Sequence, residues 1–108
     1  MPQDQLSLKF GALADPTRRG ILARLAKGEA TVNELAEPFA LSLPAISRHL
    51  KVLERAGLIT RRRAAQSRPT SLRIDGLNEA DEWMDECRAV WEGRARRLDE
   101  MLKGEPRE

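Results

Sequence analysis

The segment 42–53 combines basic, hydroxyl and small side chains at helical spacing. If Ile46, Leu50 and Leu53 face a core, the geometry of a helix turns Arg48 and Lys51 outward. An outward arginine reaches a guanine edge in the major groove, whereas lysine and serine side chains suit phosphate oxygens. Small residues at the start of this face allow close approach to base edges. The predicted DNA contacts here are Ser42, Pro44, Ala45, Ser47, Arg48, His49 and Lys51.

A second basic group lies in the polar stretch that follows. Arg61, Arg62, Arg63 and Arg68 suit the DNA backbone or the narrow minor groove beside the major-groove contact. An ordinary solvated run of arginines is the alternative. The position of these arginines after a helix-turn-helix pattern favours contacts with DNA phosphates over simple solvation.

The charge of the chain is unevenly distributed. The chain has 108 residues and a net charge of +2, but eight basic residues and one acidic residue fall within 42–73. Residues 1–41 are neutral, and residues 74–108 carry an acidic excess. A basic middle predicts a surface that binds a polyanion, and the acidic end indicates a different task there.

Local signals predict the elements that hold these residues. Leu6, Phe10 and Leu13 recur at helical spacing within a first helix over 3–13. Asp15 and Pro16 are typical of the start of a second helix, which we expect Gly28 to end. These two helices precede the basic segment.

A helix-turn-helix is predicted over 31–56. Thr31 and Glu34 form a capping box that opens a third helix, which we expect to reach Phe39 near Pro38. Ser42 caps a fourth helix, which is the more basic of the pair. Two short helices joined by a tight connection are typical of this motif.

A hairpin is predicted over 59–74, and a long helix over 77–103. The alternation of Leu72 and Ile74 with polar residues indicates the second strand of a wing. The long helix carries a broad apolar stripe. We expect it to form, with the first helix, the interface of a homodimer, which would cover Leu6, Phe10, Leu13, Trp83, Met84, Cys87, Trp91, Leu98 and Leu102.

Length and composition restrict the class of protein. A chain of this length holds one domain, so 1–108 is predicted to be a single winged helix-turn-helix unit, mainly α-helical with a small β-hairpin. One cysteine excludes an internal disulfide and a multi-cysteine metal cluster within one chain. No apolar run approaches a membrane span, and the start of the chain lacks an apolar signal core. The expected location is the cytoplasm, without membrane contact.

Several motifs in order resemble those of the ArsR/SmtB family of winged-helix regulators. They are Ala14–Arg19 (ADPTRR), Ser47–Leu53 (SRHLKVL) and Ala56–Ile59 (AGLI). The resemblance covers about Leu6 to Leu102 and implies four helices, a two-stranded hairpin and a fifth helix. It further implies a homodimer through the first and last helices, a fourth helix that reads DNA, and a role as a repressor. Trp83 and Trp91 resemble a subgroup with a tryptophan-rich last helix that is not chiefly known for metal sensing.

The sequence departs from the metal-sensing members of that family. Their third helix carries a Cys-x-Cys pair, where this chain has Glu34 to Glu37 without a thiol. The last helix has no histidine, and His49 is the only one in the chain. Zinc sites require thiolate or imidazole ligands. We therefore expect no metal and no cofactor, and take Asp81 and Asp85 as part of a solvated acidic face.

Four residue types allow more than one interpretation. His49 could be a ligand or base, but packing or a phosphate contact is favoured because no second ligand accompanies it. Cys87 could be a redox switch, whereas its place on the apolar stripe favours a buried, inert thiol. Trp83 and Trp91 could line an effector pocket, although packing is the more usual role. Arg18 and Arg19 could contact phosphate or be solvated, and the sequence does not choose.

The function predicted from these residues is sequence-specific binding of duplex DNA by a dimeric regulator, with an unidentified effector if any. A winged-helix module for protein interactions is the alternative, and the basic segment argues against it. An enzyme is not expected, because no nucleophile–base pair, phosphate-binding glycine loop or metal set is evident.

Overall fold

The part of the chain that the structure describes forms five α-helices and one antiparallel hairpin. The computed structural model describes residues 4–62 and 69–104. The elements in chain order are α1 (Gln5–Leu13), α2 (Pro16–Leu25), α3 (Val32–Ala36), a 3-10 turn (Glu37–Phe39), α4 (Leu43–Arg55), β1 (Ile59–Arg61), β2 (Thr70–Leu72) and α5 (Ile74–Leu102). The predicted class, mainly helical with a small hairpin, is confirmed.

Side-chain caps begin the first four helices. The carboxylate of Asp15 accepts a hydrogen bond from the backbone N–H of Arg18 at 3.0 Å, which lowers the pKa of Asp15 below its usual range. Thr31 and Glu34 form the reciprocal capping box that the sequence predicts. Ser42 Oγ accepts from the N–H of Ala45 at 3.3 Å. Short-range chemistry therefore fixes where α2, α3 and α4 start.

α3 ends earlier than the sequence predicts. α3 ends at Ala36, and a 3-10 turn carries the chain to Phe39 instead of a continued α-helix. Pro38 lies within this turn, where it cannot supply the N–H that a continued helix needs. Ala40 then adopts a left-handed conformation with φ of 54°. This short reversal brings α4 against α3.

One apolar core supports the elements that pack around α4. α4 buries Ile46, Leu50 and Leu53 completely, on the side that the periodicity predicts. Their partners come from the other helices and from the start of the hairpin, and include Ile21, Leu22, Leu25, Leu35, Leu58 and Ile59. Because one side of α4 is fixed in this way, its opposite side must face solvent.

The hairpin is shorter than predicted, and a residue outside it also pairs with its second strand. Ile59 pairs with Leu72 and Arg61 with Thr70. Ala30, in the loop between α2 and α3, exchanges two backbone hydrogen bonds with Thr70, at 2.8 and 3.1 Å. Ile74 was expected in the second strand, but it is the first residue of α5 and is 58% exposed. The sequence contained no local signal for the contact of Ala30, because this contact joins distant segments.

α5 is the element that departs most from a compact shape. It begins three residues before the predicted 77–103 boundary and ends at Leu102, and α1 begins at Gln5 instead of residue 3. Only the first part of α5 packs on the core, through Gly76, Leu77 and Ala80. The described chain measures 73 × 31 × 22 Å because the rest of the helix extends away from it.

We predict that Gly76→Ala destabilises the fold. A Cβ at Gly76 would lie 2.0 Å from the carbonyl oxygen of Gly57, a backbone atom that cannot move without shifting the turn after α4. Overpacking of this kind should lower the free energy of unfolding by about 3 kcal/mol in denaturant titration. Gly11→Ala is the control, since nothing lies within 4 Å of its added Cβ, and it should be neutral or slightly stabilising. Equal stability of the two variants would contradict this packing.

Candidate nucleic-acid interface

The solvent face of α4 carries basic side chains that are available to a ligand. Arg48, Lys51 and Arg55 are exposed, and none makes an ion pair with any residue that the structure describes. A helical repeat of 100° per residue places them on the side opposite the buried Ile46 and Leu50. These cations are therefore free to neutralise phosphates or to contact base edges.

The remaining predicted contacts on α4 are less uniformly exposed. Pro44 is exposed in the first turn, whereas Ala45 and Ser47 are half-buried. Ser42 is exposed, but its hydroxyl is the N-cap of the helix. The roles of Ser42, Pro44, Ala45 and Ser47 in DNA binding stay predictions.

His49 is joined to α2 by a side-chain contact. Its Nδ1 lies 3.2 Å from Nη1 of Arg18, and the ring is half-buried. A guanidinium group has only donors, so Nδ1 is the acceptor and the ring proton belongs on Nε2. His49 thus has a packing contact with α2, its Nε2 can donate to a further acceptor, and the predicted contact with phosphate stays a prediction.

Arg18 and Arg19 have a structural role, which is neither the phosphate contact nor the simple solvation that the sequence left open. Arg18 Nε donates to the carbonyl oxygen of Ala12 at 2.8 Å, and its Nη2 donates to that of Gly11 at 3.2 Å. Arg19 Nη1 donates to the carbonyl oxygen of Leu13 at 2.8 Å. The last carbonyls of a helix have no partner within it, so these arginines cap the C-terminal end of α1. Arg18 consequently connects α1, α2 and α4.

The arginines of the hairpin are arranged differently from those of α4. Arg61 was expected to face DNA, but its side chain is only 6% exposed and its Nε lies 3.5 Å from Glu54 Oε1. It turns inward because it alternates with the outward Thr60 along β1. Arg62 is 61% exposed, and its Nη2 donates to Glu29 Oε1 at 2.9 Å. Arg63 and Arg68 lie outside the described residues.

The contacts of two acidic residues, Glu29 and Glu79, were missed by the sequence analysis. Glu29 accepts from Arg62 and, through Oε2, from the hydroxyl of Ser71 at 3.1 Å, so it ties both strands to the loop before α3. Lys9, only 2% exposed, places its Nζ 3.0 Å from Glu79 and so joins α1 to α5. Both contacts span long sequence separations, for which a single sequence carries no local signal.

The apolar stripe of α5 is exposed beyond Ala80. Trp91 is 69% exposed and Leu102 is 77% exposed, while Trp83 makes an edge-on contact with Phe10 of α1 at a ring separation of 5.5 Å. Cys87 is exposed in the single chain, since no described residue packs on that part of α5, and its expected burial in a homodimer interface stays a prediction. An open groove beside it is lined by α5 alone, by Trp83, Glu86, Cys87, Val90, Trp91 and Arg94.

The described residues hold neither a candidate metal centre nor a membrane span. Within 4–62 and 69–104, no three His, Cys, Asp or Glu side chains come together in a way that could bind an ion. In the same ranges, no helix is long and apolar enough to cross a bilayer.

Comparisons with known proteins agree with this geometry. A family model described as a helix-turn-helix domain matches residues 13–62. The transcriptional repressor SdpR of Bacillus subtilis is 41% identical over 75 residues, which are 69% of this chain and 83% of that protein. A solved ArsR family transcriptional regulator is 39% identical, with a TM-score of 0.79 over 82% of this chain and 98% of that one.

The chain belongs to the ArsR/SmtB family of winged helix-turn-helix transcriptional regulators. The predicted membership is thereby confirmed. Another member of similar fold is the homodimeric DNA-binding domain of a possible ArsR-family regulator from Mycobacterium bovis, at 25% identity and a TM-score of 0.63 over 97% of this chain and 88% of that one. The chain spans 62% and 51% of two further curated relatives. In this ArsR/SmtB regulator, α4 lies within residues 13–62, which the helix-turn-helix family model matches.

We predict that Arg18→Met destabilises this ArsR/SmtB protein more than Arg19→Met does. The first change removes two donors to the end of α1 and the partner of His49, whereas the second removes one exposed hydrogen bond. The expected losses in the free energy of unfolding are about 1–3 kcal/mol for Arg18 and under about 1 kcal/mol for Arg19. Methionine keeps most of the apolar stem in each case. A larger loss at Arg19 would show that the connection to α4 contributes little.

Proposed function

We propose that this protein is a transcriptional repressor that binds a palindromic duplex operator as a homodimer. The single observation that carries the proposal is the exposed basic face of α4 on a winged helix-turn-helix, whose cations have no ion-pair partner within residues 4–62 and 69–104. In this motif the second helix enters the major groove and its first residues contact base edges. Arg48 lies on that face, and Lys51 and Arg55 are placed beside it for phosphates. A regulator of bacterial genes meets its operator in the cytoplasm, which is the location we propose.

The exposed part of α5 supports a homodimer. Its apolar side chains form a continuous stripe, on which Trp91, Leu98, Met101 and Leu102 are each more than half exposed. A small protein rarely leaves such a stripe in water. The homodimeric domain from Mycobacterium bovis resembles this chain over nearly its full length. We infer a two-fold interface formed by α5 together with α1, which would also bury Phe10 and Cys87.

A two-fold dimer determines the form of the operator. Two copies of α4 related by this axis would contact two half-sites about one helical turn apart, in opposite orientation. Selection of duplex DNA from a random library by the purified protein should therefore give an inverted repeat. Selection of no motif would contradict sequence-specific binding and would favour a winged-helix module for protein interactions.

We predict that Arg48→Ala reduces specificity, whereas Lys51→Ala reduces affinity for every duplex. Loss of an arginine that contacts a guanine edge should weaken binding to the selected operator by about 1–3 kcal/mol per half-site and relax the base preference there. Loss of a phosphate contact should weaken binding to operator and random DNA alike and reduce the salt slope by about 1 per half-site.

These two effects can be separated by fluorescence anisotropy titrations over a range of salt concentrations. Both residues are exposed on the same helix and neither has an ion-pair partner among the described residues, so the variants form a matched pair. If Arg48→Ala weakened operator and random DNA equally, Arg48 would be a phosphate contact instead of a base contact.

We predict that Trp91→Glu abolishes dimerisation. The side chain is 69% exposed in the single chain, so the monomer should keep its fold, but a buried carboxylate at a two-fold interface is strongly unfavourable. Light scattering at micromolar concentration should report a monomer with weakened operator binding. Ala89→Glu adds the same charge on the opposite side of α5, and should remain dimeric. A dimeric Trp91→Glu variant would place the interface elsewhere.

A further inference from the structure

The reading side of α4 contains an apolar row as well as cations. Pro44, Arg48 and Val52 follow one another at intervals of four residues, and Ala45 lies beside them. Pro44 is exposed, Val52 is 37% exposed, and Ala45 is half-buried. Arg48 is therefore preceded and followed, one turn away on each side, by apolar side chains. We name Pro44, Ala45, Arg48 and Val52 the reading row.

This arrangement is informative because of its position. A single exposed apolar side chain is ordinary on a protein surface. In the reading row, however, apolar side chains lie on both sides of Arg48, and Pro44 and Val52 are exposed on the side of α4 opposite the completely buried Ile46 and Leu50. The neighbouring Lys51 and Arg55 show that the same side of the helix is otherwise basic. A polyanion that exposes apolar groups in a groove would match both the positive charge and the apolar side chains on this side of α4.

Duplex DNA presents one such apolar group in the major groove. Thymine carries a 5-methyl there, and it is contacted by small apolar side chains, whereas guanine presents two acceptors that suit an arginine. We propose that the reading row recognises a half-site in which a guanine, contacted by Arg48, lies between thymines whose methyl groups contact Pro44 or Ala45 on one side and Val52 on the other. This inference rests on the proposed function of the protein as a DNA-binding regulator.

The dimensions of the helix limit where these thymines lie. A helix rises about 1.5 Å per residue, so Val52 and Pro44 are each about 6 Å from Arg48 along the axis. Successive bases of a strand are separated by about 3.4 Å along the duplex axis. The thymines should therefore lie within about two base pairs of the guanine, on either strand. Thymines further away are expected to make no methyl contact with the row.

The test is the removal of single methyl groups from the DNA. After the operator has been selected, each thymine of a half-site is replaced in turn by deoxyuridine, which pairs identically and lacks only the 5-methyl group. Binding of the wild-type protein, measured by anisotropy, should weaken about fourfold at each contacted thymine, as expected for one buried methyl group. Replacement of thymines outside the two-base-pair range should leave the affinity unchanged.

A protein variant identifies which side chain contacts which methyl group. Val52→Ala shortens a partly exposed side chain and favours the helix, so folding should be preserved, as circular dichroism can verify. For this variant, the deoxyuridine effect should disappear at one of the contacted thymines and persist at the others. Lys51→Ala is the control, because it should weaken all duplexes while every deoxyuridine effect remains.

The possible results separate this inference from the proposed function. A selected operator whose affinity is indifferent to every deoxyuridine replacement would overturn the methyl contacts and leave the DNA-binding regulator intact. An operator without thymines near the guanine would do the same. If no operator is selected at all, the proposed function and the inference are overturned together.

Discussion

The burial of one side of α4 is the constraint on which the rest of the structure depends. Ile46, Leu50 and Leu53 are completely enclosed, so the rotation of the helix about its own axis is fixed. A rotation by one residue would move these side chains towards water and lose several kilocalories per mole of apolar burial. The opposite side of α4, with Arg48, is consequently presented to solvent in a defined direction. Arg18 adds a polar restraint, since it connects the end of α1 with His49 on this helix.

The basic residues of the segment 42–73 fall into two groups, one on the hairpin and one on α4. On the hairpin, Arg61 lies beside Glu54 and Arg62 is bonded to Glu29, so these arginines hold elements together. On α4, the arginines and the lysine have no acidic partner among the described residues. Exposed ion pairs contribute little to stability, and a DNA phosphate can compete for Arg62. The basic side chains of α4 can therefore contact DNA without first breaking an ion pair to a described residue.

The long α5 explains why one copy of the chain is an incomplete unit. A compact domain of this size would have a radius of gyration near 13 Å, whereas the described chain has 19.8 Å. The difference arises from the outer turns of α5, whose apolar stripe is exposed and has no partner in the part of the chain that the structure describes. Lys9 and Glu79 connect the packed base of α5 with α1, so both helices proposed for the interface are also joined within one chain. A dimer built on α1 and α5 would hold its two copies of α4 at a constant separation.

The parts of this architecture that the sequence predicts are those governed by neighbours in the chain. Asp15, Thr31 and Ser42 form their caps with residues three positions away, and the apolar period of α4 identifies its buried side. Contacts that a single sequence does not encode locally were missed or misplaced: Glu29 with Ser71, Ala30 with Thr70, and the inward turn of Arg61. Each depends on how the hairpin docks against the loop before α3. The same reasoning applies to the site. The reading row follows from helix geometry alone, whereas the orientation of the wing arginines depends on tertiary packing. The bases that α4 would contact are therefore more predictable from the sequence than those that the wing would contact.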